Sequence, residues 1–251
     1  MPRRTLLPGL ASLNTSDWSG GGKKRQLLAL RNYLSRPGFV GVKLAPPHTC
    51  LELNGLRIEA VARVVNQTTI TYKNALSVAT TVSPALFIHS GTTPFCPGGP
   101  FGDDFACCDD LYVNLTKLEP LIAQFNRFPW VLLHSGYDFT TSYRTDIIDQ
   151  ALRLASLYPH VFLEVSAMFA TGDDDEFRYP VPGGRKLLSQ IQSRELVNKT
   201  IFGSDGNWRV NGVKKALRLT VKAMLELNFT QTEMCRVLGG SVREVFSFQK
   251  E

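Results

Sequence analysis

Six short apolar runs, spaced about thirty to forty-six residues apart, constrain this chain more than any other feature. They read "TLLPGLASL" (5–13), "FVGVKLA" (39–45), "ALFIHSG" (85–91), "WVLLHSG" (130–136), "VFLEVSA" (161–167) and "TIFGSD" (200–205). Continuous rather than alternating apolarity in runs this short marks strands buried on both faces. Helix-like stretches lie between them. "IIDQALRLASLY" (147–158) puts Ile147, Ala151, Leu154 and Ala155 on one face and stops at Pro159. "VKKALRLTVKAMLELN" (213–228) repeats the pattern with Val213, Leu217, Val221 and Met224. "TQTE" at Thr230–Glu233 and "SVRE" at Ser241–Glu244 read as capping boxes, with Gly239 and Gly240 as the stop between two short helices.

Strand, helix, strand at this rhythm predicts a parallel sheet with helices outside it, as one domain over 1–251. A barrel and an open doubly wound sheet share the rhythm. The polar residues separate them: Lys43, His89, His134, Glu164 with Ser166, and Asp205 fall at the C-terminal ends of five different strands. In a (β/α)8 TIM-type barrel those ends ring one mouth, where chemistry is built. An open sheet more often carries a Gly-rich phosphate loop after its first strand, and neither G-x-G-x-x-G nor G-x-x-x-x-G-K occurs. A barrel-type fold of about six strands is the expectation.

Twenty-eight Lys and Arg against 22 Asp and Glu give a net charge of +6, but the basic residues are scattered. The densest cluster, "GGGKKRQ" (20–26), has no interleaved aromatics and reads as a solvated loop, so no nucleic-acid partner is expected. No run reaches the roughly 18 apolar residues of a membrane span, and Pro8 and Gly9 interrupt the only apolar patch near the N-terminus. Five cysteines, an odd number, include the adjacent Cys107 and Cys108 but no C-x-x-C. Neither a disulfide framework nor a zinc knuckle is indicated, and Cys107 and Cys108 are poorly placed to bite one ion. The sequons at Asn66, Asn114, Asn198 and Asn228 are then chance matches, and a cytoplasmic, reducing location is expected.

His89, His134 and Asp205 are donors that a borderline cation such as Zn²⁺, or else Mn²⁺, accepts. A lone strand-end histidine is more often a hydrogen-bonded core residue, but two in matching "HSG" contexts and a third strand ending "GSD" favour a shared site. His134 or Asp205 is placed to move a proton. Lys43 in "GVKL" either holds a substrate carboxylate or snorkels to solvent. Glu164 in "LEVS" is a charge inside an apolar strand, so a partner such as Lys43 or Arg185 is expected, with a substrate-facing role as the alternative. His48 and His160 read as surface residues. The segment 90–114, rich in Gly, Pro, Asp and Cys, reads as an inserted loop over the barrel mouth.

"GFVGVKLAPP", "LFIHSGT", "FPWVLLHSGYDF", "FLEVSA", "KTIFGSDGN" and "TQTEMCRVLGGSVREVFSF", in that order from about residue 38 onward, resemble the amidohydrolase-related (amidohydrolase 2) family of metal-dependent TIM-barrel hydrolases and decarboxylases. The resemblance implies that His89 is the fifth-strand metal ligand, that His134 is the sixth-strand ligand or acid/base, and that Asp205 is the eighth-strand aspartate. It places Lys43 at the fourth strand's Gly-x-Lys. The family opens on a His-x-His strand, whereas this sequence has no His-x-His and no histidine before His48. Taking "TLLPGLASL" as the third strand, the first one or two βα units are absent, and an incomplete metal site follows. Three readings stand: a hydrolase using a metal-activated water on a small molecule, a non-oxidative decarboxylase, and a truncated, non-catalytic remnant. Exposed strand edges would favour a homo-oligomer.

Overall fold

The computed structural model describes residues 9–12, 18, 21–36, 38–73, 79–97, 107–140, 144–167, 183–205 and 212–247. In chain order these form β1 (Gly9–Ser12), α1 (Gly22–Leu34), β2 (Phe39–Leu44), α2 (Pro46–Thr49), α3 (Leu56–Gln67), β3 (Ile70–Lys73), β4 (Ala79–Val82) and β5 (Ala85–His89). There follow α4 (Asp110–Val113), α5 (Glu119–Gln124), β6 (Trp130–Leu133), α6 (Asp146–Leu157), β7 (Val161–Val165), α7 (Gly183–Ser193), β8 (Thr200–Phe202), α8 (Gly212–Glu226), α9 (Gln231–Cys235) and α10 (Ser241–Ser247).

All six apolar runs contribute strands to one parallel sheet, ordered β1-β2-β5-β6-β7-β8. Among the described residues β1 and β8 are not bonded to each other, so the barrel is not closed. β3 and β4 pair separately as an antiparallel hairpin between α3 and β5, an element the sequence reading lacked. Among the described residues no helix is long and apolar enough to cross a membrane.

Alternation along the strands divides the core in two. Leu86, Ile88, Trp130, Leu132, Leu163 and Val165 face the helical layer, where α6 buries Ile147, Ala151, Leu154 and Ala155 as its periodicity predicts. The alternate set, Ala85, Phe87, Val131, Leu133, Phe162 and Ile201, faces Val245 of α10, with Val242 and Phe246 packed beside it. The inner face of the sheet is thus filled near its N-terminal end by the C-terminal helix. His89, two residues after Phe87, and Glu164, two after Phe162, continue this inner face toward the strands' C-terminal ends. Lys43 joins them, because it lies in register with Phe87.

Four local expectations are corrected. On α8 the buried face is Ala216, Thr220, Ala223 and Met224, leaving Val213 and Leu217 exposed. Small residues seat this helix closely, so the contact face lies beside the bulky stripe rather than on it. The first capping box forms at Thr230 and Glu233. The second does not: the helix breaks at Gly239 (φ 176°, ψ −20°), where the stop was expected, and the buried Ser241 hydroxyl donates to the Val197 carbonyl at 3.4 Å. His160 is buried, with Nε2 3.0 Å from the Ile122 carbonyl, because it opens β7 beneath α5. Finally, four of the five cysteines are paired, Cys50 with Cys107 and Cys96 with Cys108. Adjacent cysteines point to opposite sides of an extended chain, so each finds a different partner and neither is a metal ligand.

Candidate active site

The two "HSG" segments meet at the ends of β5 and β6. Ser90 bonds across the strands, its hydroxyl donating to the Leu133 carbonyl at 2.6 Å and accepting from the Gly136 amide at 2.9 Å. Ser135 does the same one strand further on, donating to the Glu164 carbonyl at 3.0 Å. The glycines are required for room: Gly91 (φ 93°) and Gly136 (φ 75°) lie in the left-handed region, and a Cβ at either would collide with the Tyr137 or Ile147 carbonyl. Each serine therefore laces its strand end to the next, and the repeated motif fixes two histidine rings side by side.

Those rings are 4.5 Å apart between centroids, edge to face. His89 Nε2 is 2.9 Å from the Thr92 carbonyl, an acceptor only, so this nitrogen carries the proton and Nδ1 holds the lone pair. His134 Nδ1 is 2.9 Å from Ser166 Oγ, whose hydroxyl donates to Glu164 Oε2 at 2.8 Å. A hydroxyl has one proton to give, so Ser166 accepts from Nδ1–H and His134 turns an unprotonated Nε2 away from this chain of bonds. His134 and Ser135 both have positive φ, 62° and 51°, a conformation held by these bonds and by the His134 amide donating to Glu164 Oε2 at 3.0 Å.

Burial dominates the electrostatics. It lowers His134 to about 3, with the Lys43 charge adding to the effect, and lowers His89 well below the usual imidazole value, helped by the neighbouring His134. Both rings are neutral at physiological pH. Glu164 is raised to about 7 by burial, against the opposing pull of the His134 amide and the Ser166 hydroxyl. Its hydrogen-bond partners are these neutral donors, and the Lys43 charge, one of the two partners expected, also draws it down. Arg185, named as a candidate partner from sequence, pairs with Glu226 at 2.5 Å instead. Gly203 in β8's continuation makes space for this carboxyl, since a Cβ there would fall on Glu164 Oε1.

Lys43 and Asp205 stand at the rim. Asp205, exposed and with φ 56°, has its carboxyl raised by desolvation and drawn back by Lys43 and His48. His48 is exposed as the sequence suggested, yet it belongs to the cluster, its ring 5.0 Å from His89 and 5.9 Å from Phe95. It follows two prolines in α2, and only the disulfides would have revealed where α2 points. Cys50, at the end of α2, is bonded to Cys107, and Cys96, next to Phe95, to Cys108. The described ends of the 90–114 loop are strapped over His48 and His89; its middle, 98–106, and the residues following Asp205 to 211 lie outside the described residues. Beneath the rim, buried Asp138 accepts from the Thr92 and Thr140 hydroxyls, each at 2.7 Å, and from the Arg144 amide at 2.7 Å. These donors hold its carboxyl low despite burial.

No family model and no curated protein matches the chain. Solved structures share its architecture. A probable 2-pyrone-4,6-dicarboxylic acid hydrolase from Acinetobacter baumannii, with citric acid bound, superposes with a TM-score of 0.54 at 18% identity, over 96% of this chain and 73% of that one. An amidohydrolase from Burkholderia multivorans with bound zinc gives 0.54 at 13% identity, over 90% and 70%. A 2,6-dihydroxybenzoate decarboxylase complexed with 2,6-dihydroxybenzoate gives 0.54 at 11%, over 95% and 70%. The chain shares the βα-barrel architecture of these structures, with its six-stranded sheet open among the described residues. At these identities the likeness is one of architecture.

A catalytic zinc site takes three protein ligands and keeps one position open. Among the described residues no three His, Cys, Asp or Glu side chains gather closely enough to hold an ion. His89 and His134 offer two nitrogen lone pairs, and Asp205 lies outside their immediate cluster. The described residues thus fall short of a complete metal site.

Proposed function

We propose that the chain is a hydrolase of a small molecule, cleaving a C–N, C–O or lactone-type bond by attack of water. The observation that carries this reading is the Glu164–Ser166–His134 chain ending at His134 Nε2, at the mouth of an amidohydrolase-type barrel. His134 Nε2 takes a proton from the attacking water, and its Nδ1–H passes to Ser166 as the Ser166 proton passes to Glu164. The negative charge thereby ends beside the substrate and the proton on a buried carboxyl. Lys43 is the group to hold a substrate carboxylate, with Asp205 and His48 completing a polar rim. A divalent metal is the proposed cofactor, zinc as in the zinc-bound Burkholderia neighbour, with manganese the alternative. His89, His134 and Asp205 are the donors assigned to it, and no step above depends on it.

The test is turnover in a screen of lactones, amides and esters bearing a carboxylate, beside the metal content of the chain after dialysis against trace Zn²⁺ or Mn²⁺. His134→Ala is expected to abolish turnover, and His89→Ala or Asp205→Ala to abolish any bound metal. Full turnover in His134→Ala would remove the proposed base.

A second reading, non-oxidative decarboxylation, is favoured by one feature: Glu164 retains a proton up to about pH 7, and the same chain run backwards delivers it to a carbanion. Release of CO₂ from aromatic or unsaturated acids separates this reading from hydrolysis.

A further inference from the structure

The four Asn-x-Thr sequons lie outside the site, and the fold sorts them into two pairs. Asn198 is exposed in the short turn Val197–Lys199 that leads into β8. Asn228 is exposed just beyond α8, in the left-handed conformation (φ 58°), with its amide bonded to the Leu225 carbonyl at 3.0 Å. Asn66 is half-buried in α3, and its side-chain oxygen is enclosed by the protein. Asn114 is half-buried and spends its side-chain oxygen on the Thr116 amide and hydroxyl, at 3.1 and 2.6 Å, capping the turn Leu115–Lys117.

The two exposed sequons share an end of the molecule. Asn198 precedes the N-terminal end of β8, and α8 returns antiparallel to β8 before Asn228 follows it. Both lie opposite the strand ends that carry His89 and His134, where a large polar group would leave the mouth clear. The disulfides supply an independent indication. Cys50–Cys107 and Cys96–Cys108 form and persist in an oxidising compartment, and in eukaryotic cells that is where Asn-x-Thr is glycosylated.

We propose that the chain carries N-linked glycans at Asn198 and Asn228 and at neither Asn66 nor Asn114. An attached oligosaccharide is bulky and hydrated, so its asparagine must face water once the chain has folded. At Asn66 it would have to be pushed through packed surface, and at Asn114 it would have to fit beside a half-buried side chain held against the turn that it caps. Thr200, the third residue of the Asn198 sequon, is fully buried, with its hydroxyl donated to the Leu196 carbonyl at 3.0 Å. That sequon is therefore read before β8 joins the sheet.

The experiment is to produce the full chain in eukaryotic cells with an added secretion signal and to map glycosylation by peptide mass spectrometry after enzymatic deglycosylation, in both the secreted and the cell-retained pools. Release converts each occupied Asn to Asp, and of the four Asn-x-Thr sites the expected marks are at Asn198 and Asn228 alone. Asn198→Gln and Asn228→Gln should each remove one glycan from the intact mass, while Asn66→Gln and Asn114→Gln leave it unchanged. Should a variant fail to fold, the map of the unsubstituted chain decides. An unmodified Asn198 or Asn228, or a glycan at Asn66 or Asn114, overturns the assignment whatever the chain's activity.

Discussion

Ser166 Oγ stands 2.9 Å from His134 Nδ1, joining the end of β7 to the end of β6 through one hydroxyl that also reaches Glu164. Removing it leaves a buried ring nitrogen and a buried carboxyl each short of a partner. Ser166→Ala is expected to cost about 1–3 kcal/mol of stability and to lower kcat roughly 10- to 100-fold, as loss of a histidine-orienting partner does. KM should change little, because Ser166 lies behind the histidine. Ser166→Thr keeps the hydroxyl and should recover most of the rate. Steady-state kinetics on any substrate that the screen yields, with thermal melts alongside, check both halves.

Stability should fall steeply as pH drops below 6.5. Glu164, raised to about 7, binds more proton folded than unfolded between about 4.5 and 7, so its contribution falls as pH rises through that window. His134, lowered to about 3, binds less proton folded than unfolded between about 3 and 6.5, so its contribution falls as pH drops. His89, His48 and His160 are lowered as well and act in the same direction. Below pH 6.5 these histidines outweigh one carboxyl, and from pH 6.5 to 8 the rest of their titration offsets the decline from Glu164. Melting temperature should therefore fall steeply toward pH 4 and change little between pH 6.5 and 8. Glu164→Gln removes the opposing decline, so relative to wild type its melting temperature should rise by roughly 2–4 °C between pH 6.5 and 8, for about 1 kcal/mol. Parallel profiles of wild type and Glu164→Gln over that range would show that this carboxyl does not ionise there.

The strands were legible because a buried parallel strand is a continuous apolar run, and His89 and His134 because each ends such a run before Ser-Gly. The roles of Ser166 and Ser90 were not, since they come from bonds to residues 32 and 43 positions away that exist only once the strands are in register. The register itself leaves no mark in any one segment. His48 and the cysteines were missed for a related reason: an odd count with no repeated spacing hides pairings that close only when the long loop folds back on α2. On α8, bulk pointed to Val213 and Leu217, while the close approach of neighbouring elements selected Ala216, Thr220 and Ala223.

Gly203 offers a sharper test of the buried carboxyl. A Cβ at this position would coincide with Glu164 Oε1 and come within 3.3 Å of Ser166 Cβ. Gly203→Ala is expected to destabilise the fold by about 1–3 kcal/mol and to reduce turnover by displacing Glu164. Combined with Glu164→Ala it should cost less than the sum of the two single changes, because the second substitution clears the collision. Additive melting shifts in a double-mutant cycle would mean that Gly203 and Glu164 do not meet.

The two disulfides predict an unequal response to the loss of neighbouring cysteines. Cys50 and Cys107 are 57 residues apart, whereas Cys96 and Cys108 are 12 apart. Loop-closure entropy then gives about 4 kcal/mol for the first bond and about 3 kcal/mol for the second. Cys107→Ala should lower the melting temperature more than Cys108→Ala, although the two positions touch in sequence. It should also disturb the site more, since Cys50 ends the helix that carries His48, while Cys96 and Cys108 close a local loop beside Phe95. Non-reducing peptide maps should recover Cys50–Cys107 and Cys96–Cys108 and leave Cys235, the free and exposed cysteine, open to alkylation. Recovery of Cys50 with Cys108 would reverse the order of the two effects, because Cys108 would then close the longer loop.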